Sequence, residues 1–340
     1  MIFGMVYWTA TLLRVLLVLV AVLIPAGTFV YVFLFKMMSF MQSRLGPMEA
    51  GPYGSLQLLA EVGKSLQKED IFPKRADRHL FALAPYLVVG SVLLVYVVIP
   101  FGPDAYFANL DTGIFYALAV SSVSVIGILI AGWASANKYS LMGGLRAAGQ
   151  LIAYELPMVL AVVGVVIQAG SLNMNTIVKA QANGEMFGWG AVGHLFLLTQ
   201  FVGFLIFLVA AQAELTQAPF DMPIAESELV SGYMTEYSGL RFLLFFIGEF
   251  ASAGAFSAIA ATLLLGGWWV PGLSLTANYM NVVGPLVVLT KMMLVAFFIF
   301  WFRFTYPRFR EDQLQTIAWK YMIPLALLNI SVTAVLKVVF

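Results

Sequence analysis

The sequence contains no cysteine, only two histidines and few charged residues. Without cysteine, the chain can form neither a disulfide nor a thiolate-ligated zinc or iron–sulfur centre. His79 and His194 lie far apart along the chain, which predicts no metal site and no haem. Any redox centre that works with this chain is therefore expected in partner chains.

Charged residues are too scarce for a soluble protein. They make up 10% of the 340 residues, and apolar residues make up 61%, against about 25% and about 45–50% in soluble domains. The mean hydropathy is +0.93, and a net charge of +1 creates no field that would attract nucleic acid. The composition excludes a soluble enzyme, a disordered regulator and a nucleic-acid binder. It indicates a polytopic membrane protein, expected to form a single transmembrane domain over residues 1–340.

Eight apolar segments are long enough to cross a membrane. A helix needs about 20 residues to cross a hydrocarbon core of about 30 Å. The apolar runs are continuous rather than alternating, which favours an all-α protein over a barrel. The predicted spans are residues 10–35, 80–99, 113–133, 145–167, 191–213, 242–266, 282–304 and 321–339.

Lysine and arginine are distributed unevenly between the loops that connect these spans. Fourteen lie in the loops after spans one, three, five and seven, whereas Lys179 and Lys337 lie on the opposite side. Basic residues favour the cytoplasmic side, so both termini should face the outer side of the cell inner membrane. Arg14 and Lys291 lie within spans. We expect Arg14 to extend toward the membrane surface, and Lys291 either to do the same or to neutralise an acid.

The first cytoplasmic loop contains leucines at helical spacing. Leu56, Leu59, Val62 and Leu66 recur every three or four residues, which is typical of a helix with one apolar face. We expect an amphipathic helix on the membrane surface. A helix packed against a partner protein would show the same pattern.

Two carboxylates lie within predicted spans. Glu155 is in span four, close to Pro157, which can open the helix beside the carboxylate, and Glu249 is in span six. An acid at mid-bilayer costs about 2.5–3.5 kcal/mol on insertion scales and usually faces protein or water. We favour a proton pathway. The alternative is a structural role in which each acid is protonated or paired across helices.

The loop between spans five and six is strongly acidic. It carries five acids against one arginine, where a cytoplasmic loop normally favours basic residues. Acids clustered between helices would exchange protons as a coupled set and could form a membrane proton relay. A solvated loop is the alternative, and it suits Glu236 equally well. The acids are Glu214, Asp221, Glu226, Glu228 and Glu236.

Ten short stretches resemble one family closely. They run from about residue 36 to 325 with near-constant spacing, and several are long and specific. They are similar to the membrane subunit designated H of bacterial NADH-quinone oxidoreductase, respiratory complex I, whose mitochondrial counterpart is NADH dehydrogenase subunit 1. The stretches are residues 42–47, 51–54, 68–73, 137–148, 153–155, 213–214, 218–221, 226–230, 235–239 and 306–310.

The resemblance implies eight transmembrane helices that join the membrane arm of the complex to its hydrophilic arm. It implies that the cytoplasmic loops form part of a quinone tunnel and that acids begin a proton path toward antiporter-like subunits. Quinone is then a substrate, while iron–sulfur clusters and FMN belong to partner subunits. The implied acids of the path are Glu61, Glu155, Glu214, Asp221, Glu226, Glu228 and Glu249. The implied residues of the tunnel or of subunit contacts are Phe35, Arg44, Arg303, Arg308 and Arg310.

The sequence departs from the family at several positions. Leu34-Phe35 stands where the family usually has Glu-Arg, and Glu49 replaces the arginine of an Asn-Arg-Val motif. An arginine is usual at Gln217, and an acid is usual at Ile224. We expect the apolar Leu34-Phe35 pair to contact the quinone tail rather than the headgroup. The departures could also mark a complex with another electron donor, such as ferredoxin or a reduced deazaflavin.

The leading interpretation is therefore the quinone-site and coupling subunit of a complex I-type enzyme. The chain has no G-x-G-x-x-G motif after a strand, so NADH is expected to bind elsewhere in the complex. The alternative is the membrane anchor of a related complex, such as a membrane-bound hydrogenase. A secondary transporter is disfavoured, because the sequence shows no repeated pair of broken helices.

Overall fold

The structure is a computed structural model, and it describes residues 7–184, 195–271 and 277–339. These ranges are folded into helices and connecting turns, without a strand. The helices are α1 Tyr7–Phe29, α2 Met38–Met41, α3 Gln57–Gln67, α4 Arg78–Tyr96, α5 Gly113–Ser121, α6 Val123–Ala134, α7 Lys138–Ala169, α8 Met174–Asn183, α9 Phe196–Thr199, α10 Phe201–Glu214, α11 Glu226–Leu229, α12 Gly239–Leu264, α13 Ala277–Thr305, α14 Glu311–Thr316 and α15 Ile323–Val339.

Seven of the described helical segments are long and apolar enough to cross a membrane. Each coincides with a predicted span, so the protein is an all-helical, multi-pass membrane protein. Two of them contain π-helical turns, Val30–Met37 after α1 and Ile317–Met322 after α14. The segments are Thr11–Met41, Arg78–Tyr96, Gly113–Ala134, Lys138–Ala169, Gly239–Leu264, Tyr279–Thr305 and Glu311–Val338.

The predicted fifth span is the exception. Its first four residues, 191–194, and with them His194, lie outside the described residues. The described helix there, α10, has 14 residues. At 1.5 Å per residue it is about 21 Å long, which is less than the hydrocarbon thickness of about 30 Å.

Local chemistry explains where the fourth span begins and ends. The side chain of Asn137 accepts a hydrogen bond from the Tyr139 backbone N–H at 2.9 Å and caps the start of α7. Gly170 ends the helix with a positive φ of 70°, and its N–H donates to the Val166 carbonyl at 2.8 Å. The helix continues through Pro157 to Ala169, so the expected opening at the proline is not present.

The third span is divided at Ser122, which separates α5 from α6. The predicted span does not include this break, although Ser121, Ser122 and Ser124 interrupt the apolar run. The side chain of Ser122 donates to the Leu118 carbonyl at 3.1 Å and also to the carboxylate of Glu155 on α7. The division therefore places a hydroxyl group where a neighbouring helix carries an acid.

Helix α12 lies at the centre of the molecule. Its alanine-rich middle is buried, including Ala253, Ala258 and Ala260, each with an exposed fraction of 0%. Such small side chains let neighbouring helices approach closely in a membrane. Helices α1, α4, α10 and α13 all contact α12, and this arrangement brings Glu249 of α12 close to the end of α13.

Candidate functional site

A cavity of about 380 Å³ lies between the start of α12, the end of α13 and the loop that follows α10. We call it the charged cavity, because its wall contains three acids and two arginines. The lining residues are Thr216, Gln217, Ala218, Asp221, Ile224, Glu226, Ser231, Met234, Phe242, Phe246, Glu249, Arg303 and Arg308.

Glu249 is held by two donors from different parts of the chain. Arg303 Nη1 lies 3.1 Å from Glu249 Oε1, and Gln217 Nε2 donates to the same oxygen at 3.0 Å. The side chains of Glu249 and Arg303 are only 16% and 24% exposed. Gln217 thus contacts the acid at the position where the family usually has an arginine, and Arg303 supplies the positive charge.

A second ion pair forms another part of the wall. Arg308 Nη2 lies 2.6 Å from Asp221 Oδ2, and Arg308 Nη1 donates to the Ser227 hydroxyl at 3.0 Å. Burial raises the pKa of Asp221 above its usual value, although the Arg308 guanidinium opposes this shift. Burial, followed by the charges of Glu249 and Asp221, also raises the pKa of Tyr233, which keeps its phenol protonated.

Hydrogen bonds and ring contacts fix the loop that carries Asp221. Gln150 Nε2, from α7, donates to the carbonyls of Ala213 at 2.7 Å and Phe220 at 2.8 Å. The Phe220 ring packs edge-on against Tyr154, with centroids 5.3 Å apart, and lies 5.6 Å from the ring of Phe309. The loop is therefore anchored to α7 and to the segment after α13, so the wall of the cavity is preorganised.

Aromatic rings connect the charged cavity to the first span through α12 and α13. Phe246, which lines the cavity, lies 4.7 Å from Phe250, and Phe250 stacks on Phe300 at 5.7 Å. Phe300 in turn stacks on Phe33 at 5.0 Å. Arg303 also lies 5.9 Å from the Phe250 ring centroid. The charged cavity thus borders a row of packed aromatic rings, in which Phe33, Phe250 and Phe300 are only 3%, 1% and 0% exposed.

Glu214 and Glu155 form a separate acidic pair within the helices. The charge of Glu155 acts on Glu214, and Glu155 accepts a hydrogen bond from Ser122. Glu214 Oε2 is shielded from solvent and has no hydrogen-bond partner among the described residues. Glu214 borders a cavity of about 30 Å³ whose other polar lining residues are Ser91, Ser121, Ser124 and Ser252.

The structure brings some of the predicted site residues together and leaves others apart. Asp221, Glu226, Glu249, Arg303 and Arg308 share the charged cavity, and Glu155 and Glu214 form the inner pair. The remaining predicted residues line neither cavity.

These remaining residues have local partners. Glu228 is paired with Arg146 at 2.6 Å. The carboxylate of Glu61 accepts from Gln57 at 3.2 Å, Arg44 donates to Gln42 at 2.7 Å and Arg310 is paired with Asp312 at 2.5 Å. The Phe35 side chain is buried, with 8% exposed.

Lys291 meets no acid among the described residues. Its ammonium donates to three backbone carbonyls at the end of α12, those of Leu265 at 2.6 Å, Gly267 at 2.8 Å and Trp269 at 2.5 Å. The expected neutralisation of an acid is therefore wrong, because backbone carbonyls at and beyond the end of α12 bind the cation instead.

Sequence reasoning missed several residues that shape the site. Gln150 and Ser122 act through contacts with distant parts of the chain, and neither belongs to a recognisable local pattern. Gln217 stands out in the sequence only as a departure from the family, and its contact with Glu249 could not be read from spacing. Among the described residues, no group of three or more histidine, cysteine or acidic side chains could hold a metal ion.

Comparisons with known proteins agree with this geometry. The model of the NADH dehydrogenase family matches residues 13–334. A protein of Brevibacillus brevis, named as the NADH-quinone oxidoreductase subunit designated H, is 44% identical over 330 residues, which cover 96% of this chain and 94% of that protein. Proteins of the same name from Bacillus thuringiensis subsp. konkukian and Bacillus anthracis are 45% identical over 313 residues, covering 90% of this chain and 87% of each relative. The chain therefore belongs to the NADH dehydrogenase family.

Proposed function

We propose that this chain is the membrane subunit of a complex I-type NADH:quinone oxidoreductase, in which it forms part of the quinone tunnel and couples quinone reduction to proton translocation. The observation that carries this proposal is the lining of the charged cavity, where ionic side chains and the apolar side chains of Met234, Phe242 and Phe246 face the same space. A quinone combines a polar headgroup with a long apolar tail, and the two kinds of lining suit these two parts. The relatives' shared name, a subunit of NADH-quinone oxidoreductase, agrees with such a substrate.

Reduction of a quinone to a quinol adds two electrons and two protons. The electrons come from redox centres in partner subunits, since this chain has no cysteine to ligate a cluster. Arg303 and Arg308 are placed to stabilise negative charge on a headgroup near the cavity. Asp221, whose pKa is raised by burial, is suited to give up or take a proton in the same place.

The inner acidic pair is suited to pass protons onward. Two nearby carboxylates favour a shared proton over two negative charges, so a change in charge at one shifts the protonation of the other. The serine-lined cavity beside Glu214 measures about 30 Å³, which is enough for one or two water molecules. Glu155, Glu214 and this cavity thus form a proton path that a charge change in the quinone site can drive.

The membrane arrangement that we propose includes α10 as an eighth span. Both termini then lie outside, and the charged cavity opens on the cytoplasmic side. Helix α3 leaves Leu59 and Leu66 exposed, at 66% and 62%, which fits an amphipathic helix on the membrane surface. Residues 1–340 form one transmembrane domain. The partners are hydrophilic quinone-site subunits, small membrane subunits and antiporter-like subunits.

The acids and arginines outside the two cavities have proposed roles at the edges of this system. Glu61 and Glu228 belong to the acidic path or its surrounding loops, and Arg44 and Arg310 to subunit contacts. Phe35 belongs to the wall of the tunnel on the side of the quinone tail.

Substitution of the inner pair in the assembled complex tests this proposal. Glu155→Gln or Glu214→Gln retains the shape but removes the titrating group, so we expect each to suppress both proton pumping and quinone reduction. The Asp variants should retain more activity than the Gln variants. Glu69→Gln, in an exposed loop, is the matched control. If both Gln variants assemble and pump at the wild-type proton-to-electron ratio, the pair is structural and the proposed path is wrong.

A further inference from the structure

A second groove, of about 750 Å³, lies between α1, α13 and the connection after α4. It shares no lining residue with the charged cavity or with the serine-lined cavity. One wall is formed by Leu17, Val20 and Ile24 of α1, and the other by Leu286 and Leu289 of α13. These side chains are apolar, so the groove offers an apolar channel on the surface of the helix bundle.

The length of the groove matches one membrane leaflet. Arg14 and Ile24 both line it, and they are ten residues apart on α1. At 1.5 Å per residue, this separation is about 15 Å along the helix, which is half of a hydrocarbon core of about 30 Å. An acyl chain from a single leaflet would therefore fill the groove from end to end.

Two opposite charges also line the groove. Arg14 belongs to α1, and Asp104 belongs to the connection after α4. Asn281 of α13 holds Asp104 in place, because its amide accepts from the Asp104 backbone N–H at 2.9 Å and donates to the carboxylate at 3.3 Å. Neither Arg14 nor Asp104 forms an ion pair within the described part of the chain. Both charges are thus free to bind an external group.

The pattern of charges selects the class of ligand. A quinone tail carries no charge and would leave both residues unpaired, while a purely anionic headgroup would place negative charge near Asp104. A phosphoethanolamine headgroup has a phosphate for the guanidinium and an ammonium with N–H donors for the carboxylate. Tyr106, 39% exposed, lines the same groove, and tyrosine is enriched at the headgroup level of membranes.

We propose that this groove binds a phospholipid with a phosphoethanolamine headgroup, with its phosphate on Arg14, its ammonium on Asp104 and one acyl chain between α1 and α13. The lipid would fix the first span against α13, the helix that carries Arg303. The inference does not depend on the proposed quinone chemistry, since it rests on a different part of the molecule.

Photo-crosslinking in the whole complex tests this site. Benzoylphenylalanine at Val20, which is 48% exposed inside the groove, is compared with the same probe at Val332, which is 50% exposed on α15. The complex is placed in nanodiscs with equal amounts of phosphatidylethanolamine and phosphatidylcholine, each labelled in its acyl chains. At Val20 we expect phosphatidylethanolamine to be captured about fivefold more than phosphatidylcholine, a difference of about 1 kcal/mol. At Val332 we expect no preference.

Substitutions at Arg14 and Asp104 test the two charges of the groove one at a time. Arg14→Gln should lower the capture of both lipids at Val20 to the level at Val332, whereas Asp104→Asn should remove only the preference for phosphatidylethanolamine. Lys179→Gln and Asp111→Asn, which are exposed on the same side but do not line the groove, should change nothing. Asp104 lies outside the spans, so its variant tests the site even if Arg14→Gln fails to assemble. Equal capture of both lipids at Val20, or crosslinking to another subunit instead, would overturn the proposal.

Discussion

The ion pair between Glu249 and Arg303 permits a quantitative test of the charged cavity. Arg303→Gln would leave the carboxylate with Gln217 as its remaining described donor, in a site where Glu249 is only 16% exposed. A hydrogen bond to a charged group contributes about 1.5–3 kcal/mol. We take the lower end, because the pair retains some contact with solvent. About 1.4 kcal/mol corresponds to a tenfold change in rate.

We therefore expect Arg303→Gln and Glu249→Gln each to lower kcat/KM for quinone about tenfold in the assembled complex. Either single variant leaves a partly buried charge without its partner, and the double variant removes both charges together. The kcat/KM of the double variant should then be no lower than that of the less active single variant. The assay is NADH:quinone reductase activity with a short-tail quinone.

The control is Arg75→Gln, at an exposed arginine that lines neither the charged cavity nor the serine-lined cavity. We expect almost no change in activity. If the losses from Arg303→Gln and Glu249→Gln multiply to about a hundredfold in the double variant, the two residues act independently. The cavity would then have to be described without this pair.

The packing and the proposed topology give three further predictions. Phe35→Arg places a charge at a position only 8% exposed, and burying an unpaired charge costs several kcal/mol of folding free energy. Little assembled complex should therefore accumulate, and wild-type abundance would contradict this expectation. Gly143→Ala brings a Cβ to 2.6 Å from a neighbouring backbone nitrogen, whereas Gly149→Ala meets its nearest atom at 4.0 Å. Only Gly143→Ala should therefore lower the thermal stability of the complex, and equal stability of the two variants would contradict this expectation. A cysteine at Asp111 should react with an impermeant thiol reagent outside intact cells, and the reverse topology would protect it.

Much of the fold could be predicted because the relevant signals are local. The length of a membrane-spanning helix can be read directly from a continuous apolar run, and the seven long spans coincide with such runs. The break at Ser122 could not be predicted, because serines such as those at 121, 122 and 124 are tolerated within a helix and neither glycine nor proline marks the position. The hydroxyl group of Ser122 binds the carboxylate of Glu155, which lies on another helix.

The candidate site shows the same limit. Acidic motifs identified Asp221, Glu226 and Glu249, and the structure places all three in one cavity. Their partners could not be found from sequence, since a search one helical turn away from Glu249 finds no base, whereas Arg303 reaches it from another helix. Contacts between helices are set by how the helices pack, and their spacing along the chain does not encode them.

The three carbonyls bound by Lys291 attach α13 to the end of α12. Leu265 lies 16 residues after Glu249, so this attachment is about 24 Å from the ion pair along α12. The two helices are thus attached to each other at two separate points, by an ammonium on backbone oxygens at one and by a guanidinium on a carboxylate at the other. If a ligand alters the charge around the guanidinium and separates it from the carboxylate, the two helices lose one of these two attachments and keep the other. A local change of charge at the ion pair would then act on the α12–α13 contact beside the charged cavity, while the attachment at Lys291 continues to hold the two helices together.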